Sequence, residues 1–98
     1  MIRIEQFRQR IQKICRDLSL ERLDIVGSAA REDFSADSDV DVLVNFGKDE
    51  GLFSRYFDLK ERLEEIFERP VDVIEERAVK NPYFKRMIEK DRIKIYGT

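Results

Sequence analysis

Apolar residues recur at helical spacing near the start of the chain. Ile4, Phe7, Ile11, Ile14, Cys15 and Leu18 alternate with charged positions. That period predicts an amphipathic helix over 2–18. The pattern then shortens: Leu23, Ile25 and Val26 predict a strand ending at Gly27, Ser28–Arg31 a helical turn, and Phe34–Ser38 a loop. Val40, Val42, Leu43, Val44 and Phe46 predict a buried strand starting near Asp39 and closed by the segment GKDEG. Leu52, Tyr56, Leu59, Leu63 and Ile66 mark one face of a second long helix, with Phe53, Phe57 and Phe67 beside it, ended by Pro70. Val71, Val73 and Ile74 predict a third strand, in which Asp72 points to the face opposite the two valines. Asn81-Pro82 is a helix start, with Asn as cap and Pro at the first helical position. The helix that follows carries Tyr83, Phe84, Met87 and Ile88, and Ile93 and Ile95 add a short edge strand. Strands alternating with helices predict an α/β domain, a small mixed sheet with helices packed on it.

Composition narrows the chemistry. The 98 residues fit a single domain over 1–98. A hydrophobic share of 42% argues against global disorder, and a formal charge of -2 against direct binding of nucleic acid through bulk positive charge. The chain has no histidine, which removes Ser-His-Asp and Cys-His catalysis and every histidine-containing metal site. Its one cysteine, Cys15, lies in an apolar stripe and reads as a buried small hydrophobe. A bound metal would therefore be oxygen-ligated, which favours Mg²⁺, Mn²⁺ or Ca²⁺. The N-terminus has no signal-peptide pattern and no apolar run approaches membrane-spanning length, so a cytoplasmic location without a membrane partner is expected.

The segment GSAAREDFSADSDVD, Gly27 to Asp41, concentrates the candidate functional residues. Gly27 follows a strand, where a residue without Cβ lets a ligand approach the backbone. Ser28 adds a hydroxyl and opens a run of free N–H groups suited to a phosphate. Asp39 and Asp41 are two apart on a predicted strand and face the same way. Asp72 sits inside the apolar strand PVDVI. Two carboxylates about 4 Å apart repel by about 4 kcal/mol at an effective dielectric of ~20. A bound cation offsets that cost. If the two strands are neighbours, three carboxylates converge beside the Gly-Ser turn, as divalent-metal phosphoryl or nucleotidyl chemistry requires. An EF-hand loop beginning at Asp37 fails, because Val42 stands at its glycine position and Lys48 at its terminal glutamate position. Asp37 and Ser38 read as turn formers.

The Gly-Ser turn, Arg31, Ser38-Asp39-x-Asp41 and a later strand aspartate, Asp72, together resemble the minimal nucleotidyltransferase domain of the DNA polymerase beta-like superfamily. The resemblance covers residues 23–76. It implies that Gly27 and Ser28 hold the triphosphate of ATP. It further implies that Asp39 and Asp41 ligate two Mg²⁺ ions, with Mn²⁺ as a substitute. Asp72 would complete the metal site and help to deprotonate an acceptor hydroxyl. Arg31 would contact phosphate or form a structural salt bridge. The sequence departs from the family at Ala29, where a basic or bulky residue is common, and at Glu32, where glycine is common.

Many members of that family are antitoxins paired with a HEPN-domain ribonuclease toxin. The resemblance implies transfer of AMP from ATP to a tyrosine hydroxyl of such a toxin. Phe53, Phe57, Tyr83 and Phe84 are candidates for a partner interface, but their helical spacing favours core packing. The basic segment FKRMIEKDRIK reads as a solvated helix face. Two alternatives remain at this level: a non-enzymatic antitoxin that neutralises its partner by binding alone, and transfer to a small molecule such as an aminoglycoside.

Overall fold

The computed structural model describes residues 4–31 and 39–97. The expected loop at 34–38, the turn formers Asp37 and Ser38, and the departure at Glu32 lie outside the described residues.

Among the described residues, three helices and four strands follow in the order α1 (Ile4–Asp17), β1 (Arg22–Val26), β2 (Val40–Asn45), α2 (Leu52–Phe67), β3 (Val71–Glu75), α3 (Pro82–Lys90) and β4 (Ile93–Gly97). Short 3-10 turns occupy Gly27–Ala30 and Glu76–Ala78. The sheet has the order β3-β2-β1-β4. β1 pairs antiparallel with β2 and β4, whereas β2 and β3 run parallel, so the sheet is mixed. A parallel pair needs a crossover, and α2 supplies it.

Alternation along the strands sorts side chains between two unequal faces. Leu23, Ile25, Val40, Val42, Val44, Val71, Val73 and Ile95 form one core with Ile11, Ile14, Cys15 and Leu18 of α1 and Leu59, Leu63 and Phe67 of α2. The opposite face carries a smaller core in which Val26 and Leu43 meet Ile88 of α3, with Ile74 and Val79 packed against it. Burial pushes the Cys15 thiol up to about 12, against a weaker downward pull from Arg16, so it stays protonated and inert at neutral pH.

Two devices hold the frame. Helix α1 ends with Ser19 in the left-handed region (φ 56°), and the N–H of Leu20 reaches back to the Cys15 carbonyl at 2.9 Å. The Arg55 guanidinium then collects the carbonyls of Leu18, Ser19, Phe46, Lys48 and Glu50 at 2.6–3.1 Å. Five carbonyls match the five N–H donors of arginine, so one side chain of α2 ties the end of α1 to the end of β2. At the other end of α2, Glu64 accepts the Val71 N–H at 3.0 Å and Lys60 donates to the Val71 carbonyl. That bond and the neighbouring Lys60 hold the Glu64 carboxyl below its usual value. Together they pin the start of the strand that bears Asp72.

The sequence-based elements are recovered, with modest shifts at their ends. Helix α2 stops at Phe67, before Pro70, because Glu68 turns into the left-handed region at φ 55°. The core-packing expectation for the aromatics fails. Phe53 is 76% exposed, and Phe57, Tyr83 and Phe84 are exposed as well. On α2 the stripe Leu59, Leu63 and Phe67 fills the core, and Phe53 and Phe57 fall outside it, packed on each other with ring centroids 4.6 Å apart. Helix α3 buries only Ile88, which leaves its first turn in solvent.

Candidate active site

The parallel register aligns Asp41 with Asp72, flanked by the pairs Val40–Val71 and Val42–Val73. The valines are buried on the face of α1 and α2. Asp41 and Asp72 therefore share the opposite face, on adjacent strands about 4.8 Å apart. Asp41 is half-buried and Asp72 exposed. Burial raises the Asp41 carboxyl above its usual value, and the negative charges of Asp72 and Asp39 raise it further; Arg31 opposes them. The field at Asp41 thus reports both other carboxylates. Asp39 lies one residue before β2 and is exposed. No group of three acidic side chains among the described residues is gathered tightly enough to grip an ion as the chains stand. The donor set nevertheless suits a hard cation: carboxylate oxygens only, with two strand aspartates side by side and mutually repelled.

The turn after β1 meets the same carboxylate. Gly27 has φ +69°, and a Cβ built there would lie 2.6 Å from Asp41 Oδ2. Gly27 therefore has two reasons to lack a side chain: a left-handed backbone and a carboxylate against its Cα. Gly27→Ala is expected to destabilise the fold by roughly 1–2 kcal/mol from the left-handed strain and the clash. On an Asp41→Ala background the clash is gone and the cost should shrink. Thermal denaturation of the four proteins in a double-mutant cycle measures this coupling.

Gly27, Ser28, Arg31 and Asp41 line one open cleft of about 290 Å³ together with Val26, Ile74, Phe84, Met87 and Ile88. Arg31 makes an ion pair with Asp91 at 3.3 Å, one of the two roles expected for it, while its charge still acts on Asp41. The small residue at 29 is explained by packing, since Ala29 is buried in the larger core.

One charged cluster escaped the sequence reading. Asp24, in the middle of β1, is fully buried and accepts from Arg22 at 2.9 and 3.0 Å and from Arg92. Arg92 also donates to Glu76 at 3.0 and 3.1 Å and to Glu89. Burial works against the Arg92 charge, but the bonds to Glu76 and Asp24 outweigh it and hold the guanidinium above its usual value. This network fastens the α3–β4 connection to the centre of the sheet, and α3 forms one wall of the cleft. The available signal was an aspartate among apolar neighbours in RLDIV, the same signal that singled out Asp41 and Asp72.

A small mixed α/β sheet that sets paired carboxylates beside a Gly-Ser turn is an arrangement suited to phosphate and a divalent cation. The comparisons make this specific. The model of the nucleotidyltransferase domain family matches residues 8–95. Two proteins of Methanocaldococcus jannaschii, named as candidate protein adenylyltransferases, are 34% identical over 94% of both chains and 37% identical over 72% of this chain and 71% of the relative. The chain belongs to the nucleotidyltransferase family and is a nucleotidyltransferase. Among solved structures, one described as a minimal nucleotidyltransferase superposes with a TM-score of 0.76 at 28% identity, covering 92% of this chain and 90% of that one. A toxin–antitoxin structure with AMP-PNP gives 0.74 at 20% identity, covering 93% and 73%. A complex of a tri-AMPylated HEPN toxin of Shewanella oneidensis with its MNT antitoxin gives 0.68 at 18% identity, covering 96% and 72%. These last two support the fold.

Proposed function

We propose that this protein transfers AMP from ATP to a hydroxyl of a partner protein, in the manner of an antitoxin acting on a HEPN toxin, with a tyrosine as acceptor. The observation that carries the reading is the lateral pairing of Asp41 and Asp72 beside Gly27. The names of the relatives and of the structural neighbours support a protein acceptor and a toxin partner.

In this mechanism the triphosphate lies against the turn at Gly27 and Ser28, next to Asp41, whose carboxylate fills the space of the missing Gly27 Cβ. Arg31, at the rim, adds positive charge. Asp39, Asp41 and Asp72 would hold Mg²⁺, which would neutralise phosphate charge and lower the pKa of the attacking hydroxyl. Asp72 is the exposed member of the strand pair and so is best placed to take the proton from the acceptor. The acceptor oxygen forms a bond to the α-phosphorus, the bond from that phosphorus to the bridging oxygen breaks, and pyrophosphate leaves with the electron pair.

The test is incubation with ATP labelled on the α-phosphate and the partner. Wild type should label the partner. Asp72→Asn should reduce labelling by at least a hundredfold while circular dichroism stays unchanged. Undiminished labelling by Asp72→Asn rejects the mechanism. Neutralisation of the partner at stoichiometric protein without ATP favours the binding-only antitoxin.

A further inference from the structure

The cleft at Asp41 has two chemically distinct halves. Gly27, Ser28, Arg31 and Asp41 make one; Val26, Ile74, Ile88, Phe84 and Met87 make the other. Val26 and Ile88 are buried in the smaller core and form a floor. Phe84 and Met87 form a rim and remain 41% and 57% exposed. A single exposed apolar residue on a surface is ordinary. Two that share one cleft with an anion-suited turn are characteristic of ligand sites. Their placement is also fixed. Asn81 Oδ1 accepts the N–H of Tyr83 at 2.9 Å and of Phe84 at 3.3 Å, with Pro82 at the first helical position. The Arg92 network fastens the far end of α3.

We infer that Phe84 and Met87 are the nucleobase shelf of this enzyme: the base stacks on the Phe84 ring and against the Met87 thioether while the triphosphate runs to Gly27 and Ser28. The inference rests on the nucleotide reading above and deepens it. The occupant follows from continuity with the polar half. It must carry a flat apolar ring at one end and an anionic group at the other, within one short cleft, as a nucleoside triphosphate does. The side chains of the apolar half, Val26, Ile74, Phe84, Met87 and Ile88, offer no strong hydrogen-bonding group to read the edge of a base. Stacking is tolerant of base identity, so the shelf holds ATP and GTP with similar strength.

Binding with Mg²⁺ present tests this. ATP, GTP and inorganic triphosphate are titrated against wild type, Phe84→Ala, Met87→Ala and Phe84→Trp. The expected result is that wild type binds ATP and GTP within a few-fold of one another and both more tightly than triphosphate. Phe84→Ala should weaken both nucleotides about tenfold, the scale of a lost base–aromatic stack, and leave triphosphate unchanged. Met87→Ala should do the same to a smaller degree. Phe84→Trp should keep nucleotide affinity. Since the sequence has no tryptophan, its fluorescence reports the base directly. Triphosphate bound as tightly as ATP by wild type, or Phe84→Ala indistinguishable from wild type, overturns the shelf while leaving the nucleotide reading standing. Wild type that binds neither ATP nor triphosphate overturns both.

Discussion

Asp41→Asn is expected to abolish nucleotidyl transfer, by at least a thousandfold, and to raise the melting temperature of the metal-free protein. The two effects have one cause. Asp41 is half-buried, paired in register with Asp72 and pressed against Gly27. Two charges about 5 Å apart at an effective dielectric of ~20 repel by about 3 kcal/mol, reduced further by the exposure of Asp72. Burial, Asp72 and Asp39 raise the Asp41 carboxyl in the folded state. A raised acid binds its proton more tightly when folded than when unfolded. The penalty is therefore present at neutral pH and is lifted as pH falls through the raised value toward the unfolded one. A divalent cation would lift it in the same way. Asparagine keeps the shape and removes the charge, so it removes the penalty and the proposed metal ligand together. Calorimetry with and without Mg²⁺ checks this: wild type should gain stability with metal and Asp41→Asn should not. A variant less stable than metal-free wild type, or one that still responds fully to Mg²⁺, contradicts the assignment.

Asp24→Ala is expected to destabilise the protein by about 3–5 kcal/mol, the usual cost of stripping one partner from a buried ion pair. For a chain of this size that is a fall of about 15 °C or more in melting temperature. Asp24 is fully buried beneath Arg92, and Arg22 adds two further bonds. Removing the carboxylate leaves Arg92 facing Glu76 and Glu89 alone, with its inner side desolvated. Arg92→Leu combined with Asp24→Leu should recover much of the loss, because two apolar residues need no partner. Chemical denaturation of the single and double variants measures this. A single variant within 1 kcal/mol of wild type would show the network to be dispensable.

How far the sequence carries can be seen residue by residue. Asp41 and Asp72 were legible because a charge between valines is expensive unless it is used. The same logic applied to Asp24, but its partner, Arg92, lies 68 residues away and sits in a stretch that reads as a solvated basic face. The register that sets Asp41 beside Asp72 is not written locally; it depends on α2 crossing over and on the hold of Lys60 and Glu64 on Val71. Arg55 was silent because its partners are backbone carbonyls, which have no sequence signature. Phe53, Phe57, Tyr83 and Phe84 misled because helical period locates a stripe but not its width. Three core residues suffice on α2 and one on α3.

β3 lies at the outer margin of the sheet, with β2 as its only strand neighbour among the described residues. Half of the acidic pair thus rides on an edge strand, held on one side by β2 and at its start by Glu64 and Lys60. Fraying there would part the proposed catalytic pair while β1, β2 and β4 stay joined. A protein that docks along that margin could, by the same token, set how often the catalyst is assembled.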